Sequence, residues 1–152
     1  MKKKISDFII EVIRKLYQNF INHYDFFMQI DSDTYVNSDQ LNILLRTLKE
    51  KNDYDKYIGI PGMGNDEELG KLGLQKPYCL GMGYIIGKNI LKQFGPNIEN
   101  CLSNLVSNHS DTEIGRCIYK YTNIGCTSPL IPFKQIYYQK FKGLIHPRSF
   151  NS

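Results

Sequence analysis

Between residues 5 and 21, Ile5, Phe8, Ile9, Val12, Leu16 and Phe20 recur at three- and four-residue intervals, with Lys4, Glu11, Arg14, Lys15 and Gln18 between them. That spacing predicts an amphipathic helix covering a core. After Asn22 and His23, the run Tyr24 to Ile30 is short and mostly apolar, and it stops abruptly at Asp31. A buried strand ends this way where it leaves a sheet, so Asp31 and its neighbours are expected at a strand tip. Asn37 and Ser38 are both good N-caps for a second helix carrying Leu41, Leu44, Leu45 and Leu48, which closes before the charged stretch from Lys49 to Lys56.

Tyr57 to Ile60 predicts another short strand, stopped by Pro61. Residues 62 to 77 mix Gly, Asp, Glu and Lys without a period and predict an exposed loop of the kind that serves as a lid. Tyr78 to Ile86 is apolar and interrupted by glycines, as in a strand that bends. A helix with Ile90, Leu91 and Phe94 inward follows, ended by Gly95-Pro96. Asn97 to Val106 and Asp111 to Tyr121 predict two more helices, while residues 122 to 152 carry no assignable period and no repeat. Helices alternating with short strands predict an α/β fold with a mixed or parallel sheet flanked by helices.

The 152 residues, 41% hydrophobic and 22% charged, suit one globular domain over 1–152 and are too apolar for a disordered tail. The net charge of +4 is spread along the chain, with no basic run beyond Lys2, Lys3 and Lys4 and no zinc-finger spacing, which argues against a nucleic-acid partner. No stretch reaches the roughly 18 apolar residues that a membrane-spanning helix needs. The amino-terminal residues do not have the core of a secretion signal.

Cys79, Cys101, Cys117 and Cys126 are widely spaced and form no Cys-x-x-Cys pair. A structural zinc site is thereby disfavoured, and disulfides and isolated thiols both stay open. Asn108-His109-Ser110 is a glycosylation sequon and, with the cysteines, is compatible with an oxidising secretory compartment.

The feature richest in chemistry is Asp31-Ser32-Asp33 directly after the apolar run. Ligands of α/β folds bind at strand ends, and two carboxylates one residue apart in a turn can both face one hard cation, such as a diphosphate-bound Mg²⁺ or Mn²⁺. Two aspartates that merely cap and solvate a turn give the same pattern. A calcium loop starting at Asp31 fails, because Tyr35, Val36 and Asn42 occupy positions that need a ligand, a glycine and a glutamate. A haloacid-dehalogenase-like phosphatase with Asp31 as nucleophile survives as an alternative, although Tyr35 replaces its usual Thr or Val. Gly81, Gly83 and Gly87 only faintly match a dinucleotide-binding fingerprint.

Asp31-Ser32-Asp33-Thr34-Tyr35-Val36, preceded by Tyr24-Asp25-Phe26-Phe27, resembles the Fringe and core 1 β1,3-galactosyltransferase family, with its Asp-Asp-Asp-Thr-Tyr-Val motif after a strand. The resemblance continues in order and spacing through Tyr78-Cys79-Leu80-Gly81-Met82-Gly83-Tyr84 and through Asp111-Thr112-Glu113-Ile114-Gly115-Arg116-Cys117, with a weaker echo at Ile145-His146-Pro147. It implies a nucleotide-sugar transferase fold of the GT-A type, here partial because the chain starts one helix before the metal motif.

The implied reaction is Mn²⁺-dependent, inverting hexosyl transfer, β1,3-galactosyl or N-acetylhexosaminyl, from a UDP-sugar to a hydroxyl of a glycan or glycoprotein. By the same resemblance Asp31, Asp33 and His146 are metal ligands, and Gly81 and Gly83 let the backbone approach the donor sugar. Asp111 is the catalytic base, in a motif whose first acidic position is Ser110 here. Cys101 and Cys117 match a family disulfide, while Cys79 and Cys126 have no assigned partner. The resemblance further implies a Golgi or endoplasmic reticulum lumenal enzyme of type II topology, whose anchor and stem would precede this region. A non-catalytic relative that binds a glycan or a partner transferase is the remaining alternative.

Overall fold

The structure, a computed structural model, describes residues 2–62, 66–128, 137–141 and 144–147, with side chains placed over 8–62 and 68–128. A long first helix, α1 (Lys2–Phe20), is followed by β1 (Phe26–Ile30), β2 (Thr34–Val36) and α2 (Ser38–Glu50). Next come β3 (Tyr57–Pro61), α3 (Asp66–Lys71), β4 (Cys79–Gly87) and α4 (Lys88–Phe94). A 3₁₀ turn (Gly95–Asn97) leads into α5 (Ile98–Ser103), α6 (Ser110–Thr122), β5 (Tyr137–Phe141) and β6 (Leu144–Pro147). Asn37 caps α2, its side chain accepting the Gln40 amide at 3.2 Å, as the sequence anticipates.

The architecture is the expected α/β one, a sheet flanked by helices, and its ladders run antiparallel. β4 is central, with β1 and β3 antiparallel on either side where a mixed or parallel sheet was expected, and an isolated parallel bridge joins Ile58 to Thr127 outside the strand ladders. A second small sheet joins β2, β5 and β6. On one face of the main sheet, Ile10, Ile13, Tyr84, Ile86, Leu91, Phe94, Ile114 and Ile118 form a core under α1, α4 and α6. On the other face, Leu44 and Leu48 of α2 close over Ile58, Met82 and Ile85.

Within β4 the side chains of residues 84 and 86 face one core, while Met82 and Ile85, of opposite parity, share the other. The register slips at the same place, Gly59 facing Tyr84 but Pro61 facing Cys79. The glycines at 81 and 83 thus flank an irregular stretch of strand, as bulges near functional sites commonly do.

Four expectations need correction. Residues 62 to 77 are not all loop, because α3 lies within them, with Leu69 buried. The helix expected over 97–106 stops at Ser103, since the residues after it are held by a side chain of α6 described below. Pro61 is the last residue of β3 rather than its stop. The inward face of α1 is rotated: Ile10 and Ile13 are buried, whereas Phe8, Val12 and Phe20 are 68%, 40% and 42% exposed. Phe8 and Val12 instead line an apolar cavity of about 300 Å³ beside β1, together with Leu16, Met28, Ile30 and Ile86. The Ile5 side chain lies outside the described residues.

Cys101 and Cys117 are disulfide-bonded, as the family resemblance implied. Cys79 and Cys126, for which no partner could be assigned, bond to each other across a sequence separation of 47, so that the described chain holds no free cysteine.

Candidate active site

β1 leaves the sheet at Ile30, and the chain turns through Asp31, Ser32 and Asp33 before β2 begins. The turn is held at three points. The Thr34 amide donates to the Asp31 carbonyl at 3.0 Å, the Asp31 amide donates to the Met82 carbonyl at 3.4 Å, and the buried Thr34 hydroxyl donates to the same carbonyl at 2.6 Å. The irregular stretch of β4 thereby turns one backbone oxygen towards the acidic turn. Asp33 is exposed and Asp31 half-buried.

Asp111 reaches this place from α6. Its Oδ2 accepts the Gly81 amide at 2.9 Å, and its Oδ1 accepts the amide of Thr112, also at 2.9 Å. Gly115, one turn further along α6, makes that approach sterically feasible: a Cβ there would lie 2.2 Å from the Cβ of Tyr78. The sequence pattern Asp111 to Gly115 is thus a carboxylate and the notch that seats its helix.

Three carboxylates therefore gather around the glycine-flanked stretch of β4, and their fields overlap. The carboxyl of Asp31 is raised above its ordinary value, first by burial, then by the like charges of Asp33 and Asp111, against a hydrogen bond from Gln29 that favours ionisation. Tyr84, buried beneath, has its hydroxyl pushed up by burial and by both Asp111 and Asp31. Its ring meets Tyr57 edge-on at 5.7 Å, and the Tyr57 hydroxyl accepts the amide of Cys79 at 2.9 Å. The floor under the carboxylates is rigid and aromatic.

His146 lies on β6, where its backbone faces Gln139, which in turn faces Thr34 across β5. It therefore occupies the same cross-strand row as the residue after Asp33, roughly 10 Å away by strand spacing. Its side chain lies outside the described residues. Gly83 pairs with Ile30 at the mouth of the turn.

Among the described residues no group of three His, Cys, Asp or Glu side chains stands close enough to form a metal cage by itself. Two aspartates at a turn nonetheless suit a hard divalent cation whose remaining ligands are phosphate oxygens and water, which is how such ions are commonly held at nucleotide sites.

Sequence reasoning missed three residues. Gln29 hydrogen-bonds Asp31, while its own Oε1 is buried with no partner among the described residues; a polar residue on an apolar strand was the only signal. Thr34 looked like part of a motif and proves to anchor the turn. Glu113, 4% exposed, takes the amides of Val106 and Ser107 at 3.0 and 2.5 Å and the Arg116 guanidinium at 2.7 Å, which pins the loop leading to Asp111. Arg116 also donates to the carbonyls of Leu72 and Asn104.

Residues 97–147 match the chondroitin N-acetylgalactosaminyltransferase family. Over 118 residues, 76% of its length, the chain is 35% identical to chondroitin sulfate synthase 3 of Mus musculus and to that of Homo sapiens. It is 31% identical to chondroitin sulfate glucuronyltransferase of Homo sapiens over 119 residues, 78% of its length. The matched region spans only 13% of the two synthases and 14% of the glucuronyltransferase. The names of these relatives are those of glycosyltransferases, the class the motifs implied, and they are chondroitin enzymes rather than members of the Fringe and core 1 group.

Proposed function

We propose that this chain, similar to the chondroitin sulfate synthases and matching a chondroitin N-acetylgalactosaminyltransferase family over residues 97–147, contributes the acidic half of a nucleotide-sugar transferase active site. The observation that carries this reading is that Asp111 accepts the Gly81 amide while the Asp31 turn is bonded to the neighbouring Met82 carbonyl, with Asp33 and Asp111 both acting electrostatically on Asp31. The proposed reaction is inverting transfer of a hexosyl unit from a UDP-sugar to a hydroxyl of a glycan or glycoprotein. The names of the relatives favour an N-acetylgalactosaminyl or glucuronyl donor over a galactosyl one.

A diphosphate brought to this turn meets carboxylates of its own sign, so its binding calls for a cation between them. Asp31 and Asp33 would hold that ion, Mn²⁺ by the motif resemblance, with His146 a further candidate ligand. When bound, it neutralises charge on the departing UDP. Gln29 and Thr34 keep the two aspartates in place. Asp111, oriented by two amides, accepts the proton of the acceptor hydroxyl as that oxygen attacks the anomeric carbon on the face opposite the diphosphate. The bond from the anomeric carbon to the phosphate oxygen breaks, and its electron pair leaves with UDP. Gly81 and Gly83 leave the sugar free of side chains at its closest approach to β4.

Two disulfides fit an oxidising lumenal compartment, and we place the activity in the Golgi or endoplasmic reticulum lumen. No described helix is long and apolar enough to cross a membrane.

The test is UDP release from UDP-N-acetylgalactosamine and UDP-glucuronate, with a chondroitin oligosaccharide as acceptor, in Mn²⁺ and then in excess chelator. Release in Mn²⁺ that requires the acceptor and stops on chelation supports the reading. Release insensitive to Asp31→Ala and Asp33→Ala contradicts it.

A further inference from the structure

We infer that Asn108 is a site of N-linked glycosylation, carried on the loop that leads into Asp111. Asn108-His109-Ser110 is the one Asn-x-Ser/Thr sequence in the chain, and its middle residue is not proline. That pattern by itself is common. The fold adds three independent observations.

First, Asn108 is exposed, and among the described residues no hydrogen bond engages its side chain. Second, the loop around it is fixed by its neighbours. Glu113 takes the amides of Val106 and Ser107, the Ser107 hydroxyl takes the amide of His109 at 3.1 Å, and His109 is extended with φ −101° and ψ 124°. The amides of Val106, Ser107 and His109 are thus taken within the loop, while the Asn108 side chain is exposed. Third, the pairs Cys79–Cys126 and Cys101–Cys117 require an oxidising compartment, and sequons are modified in that same lumenal space. The Cys101–Cys117 bridge joins the helix before this loop to the helix after it, so the disulfide and the sequon belong to one element of the fold.

The co-reactant is a lipid-pyrophosphate-linked oligosaccharide. The side-chain nitrogen of Asn108 forms a bond to the first carbon of the sugar, and the bond from that carbon to the phosphate oxygen breaks. The electron pair leaves with the pyrophosphate, and the amide nitrogen gives up one proton to solvent.

The experiment expresses the full natural chain in a eukaryotic secretory line, treats it with peptide-N-glycosidase and reads the peptide bearing residue 108 by mass spectrometry. The expected result is conversion of Asn108 to aspartate with a gain in gel mobility, retained in Ser110→Thr and lost in both Asn108→Gln and Ser110→Ala. Because attachment takes place during synthesis, a variant that folds poorly still reports. An unmodified residue 108 in chain secreted with both disulfides formed overturns the inference, as does modification of that residue in Ser110→Ala.

Discussion

The amide of Gly81 donates to Oδ2 of Asp111 at 2.9 Å, joining an irregular strand to the first turn of a helix 30 residues further along the chain. The bond fixes one carboxylate against the backbone that also receives the Asp31 turn, so the proposed base and the proposed cation ligands share one support.

Asp111→Asn keeps an oxygen to accept one of the two amides but removes the capacity to take a proton. Transfer is expected to fall by about 10²- to 10⁴-fold, the usual contribution of a general base, with UDP affinity unchanged. Steady-state kinetics beside a UDP titration read the two quantities separately.

Gly115→Ala places a methyl group where the Tyr78 side chain already lies. Overpacking of this kind costs about 1–3 kcal/mol, and lifting α6 would also lengthen the Gly81–Asp111 bond. The urea midpoint and the transfer rate are expected to drop together. A rate that falls in proportion to folded protein alone would detach the notch from the site.

Glu113→Ala removes the acceptor of two backbone amides and one of the three acceptors of the Arg116 guanidinium, leaving it the Leu72 and Asn104 carbonyls. The expected destabilisation is about 2–4 kcal/mol. Hydrogen exchange at Val106 and Ser107 should accelerate well beyond that of the β4 amides.

Asp25, at the start of β1, is held below the ordinary carboxylate range chiefly by its hydrogen bond to Lys88, which sits 2.7 Å away, with burial opposing and Lys49 adding to the effect. A carboxyl depressed in the folded state contributes stability that is present above its unfolded value of 3.8 and is lost as pH falls through the folded value. Urea midpoints followed downward through the carboxylate range should therefore decline less steeply in Asp25→Asn than in the native chain.

Much of this was legible in the sequence where one signal dominated. An apolar run ending in Asp31 read as a strand leaving a sheet, and Asn37 or Ser38 ahead of a leucine stripe read as a helix start, with Asn37 proving to be the cap. The irregular stretch of β4 was visible as two glycines, but its consequence was not, because a bulge redirects a carbonyl and an amide rather than any side chain. The inward face of α1 was misread because its apolar stripe is wide enough to serve both the core and the cavity beside β1, and periodicity cannot divide the two. Cys79 and Cys126 could not be paired because a separation of 47 carries no geometric information until β4 and the segment after α6 are docked. The motifs Asp31-x-Asp33 and Asp111 to Cys117 carried a resemblance to glycosyltransferases but not to the chondroitin enzymes that the chain is similar to. Their chemistry is common to diphosphate-sugar transfer, and what separates one branch from another lies in residues around donor and acceptor that no short motif records.

The central claim is a divalent cation bridging the Asp31–Asp33 turn to a diphosphate, and calorimetric titration of UDP with and without Mn²⁺ tests it most directly. The account predicts heat only when metal is present, abolished in Asp33→Ala and retained in Asp111→Asn. Equal heat in both conditions, silence in both, or full binding by Asp33→Ala would contradict it.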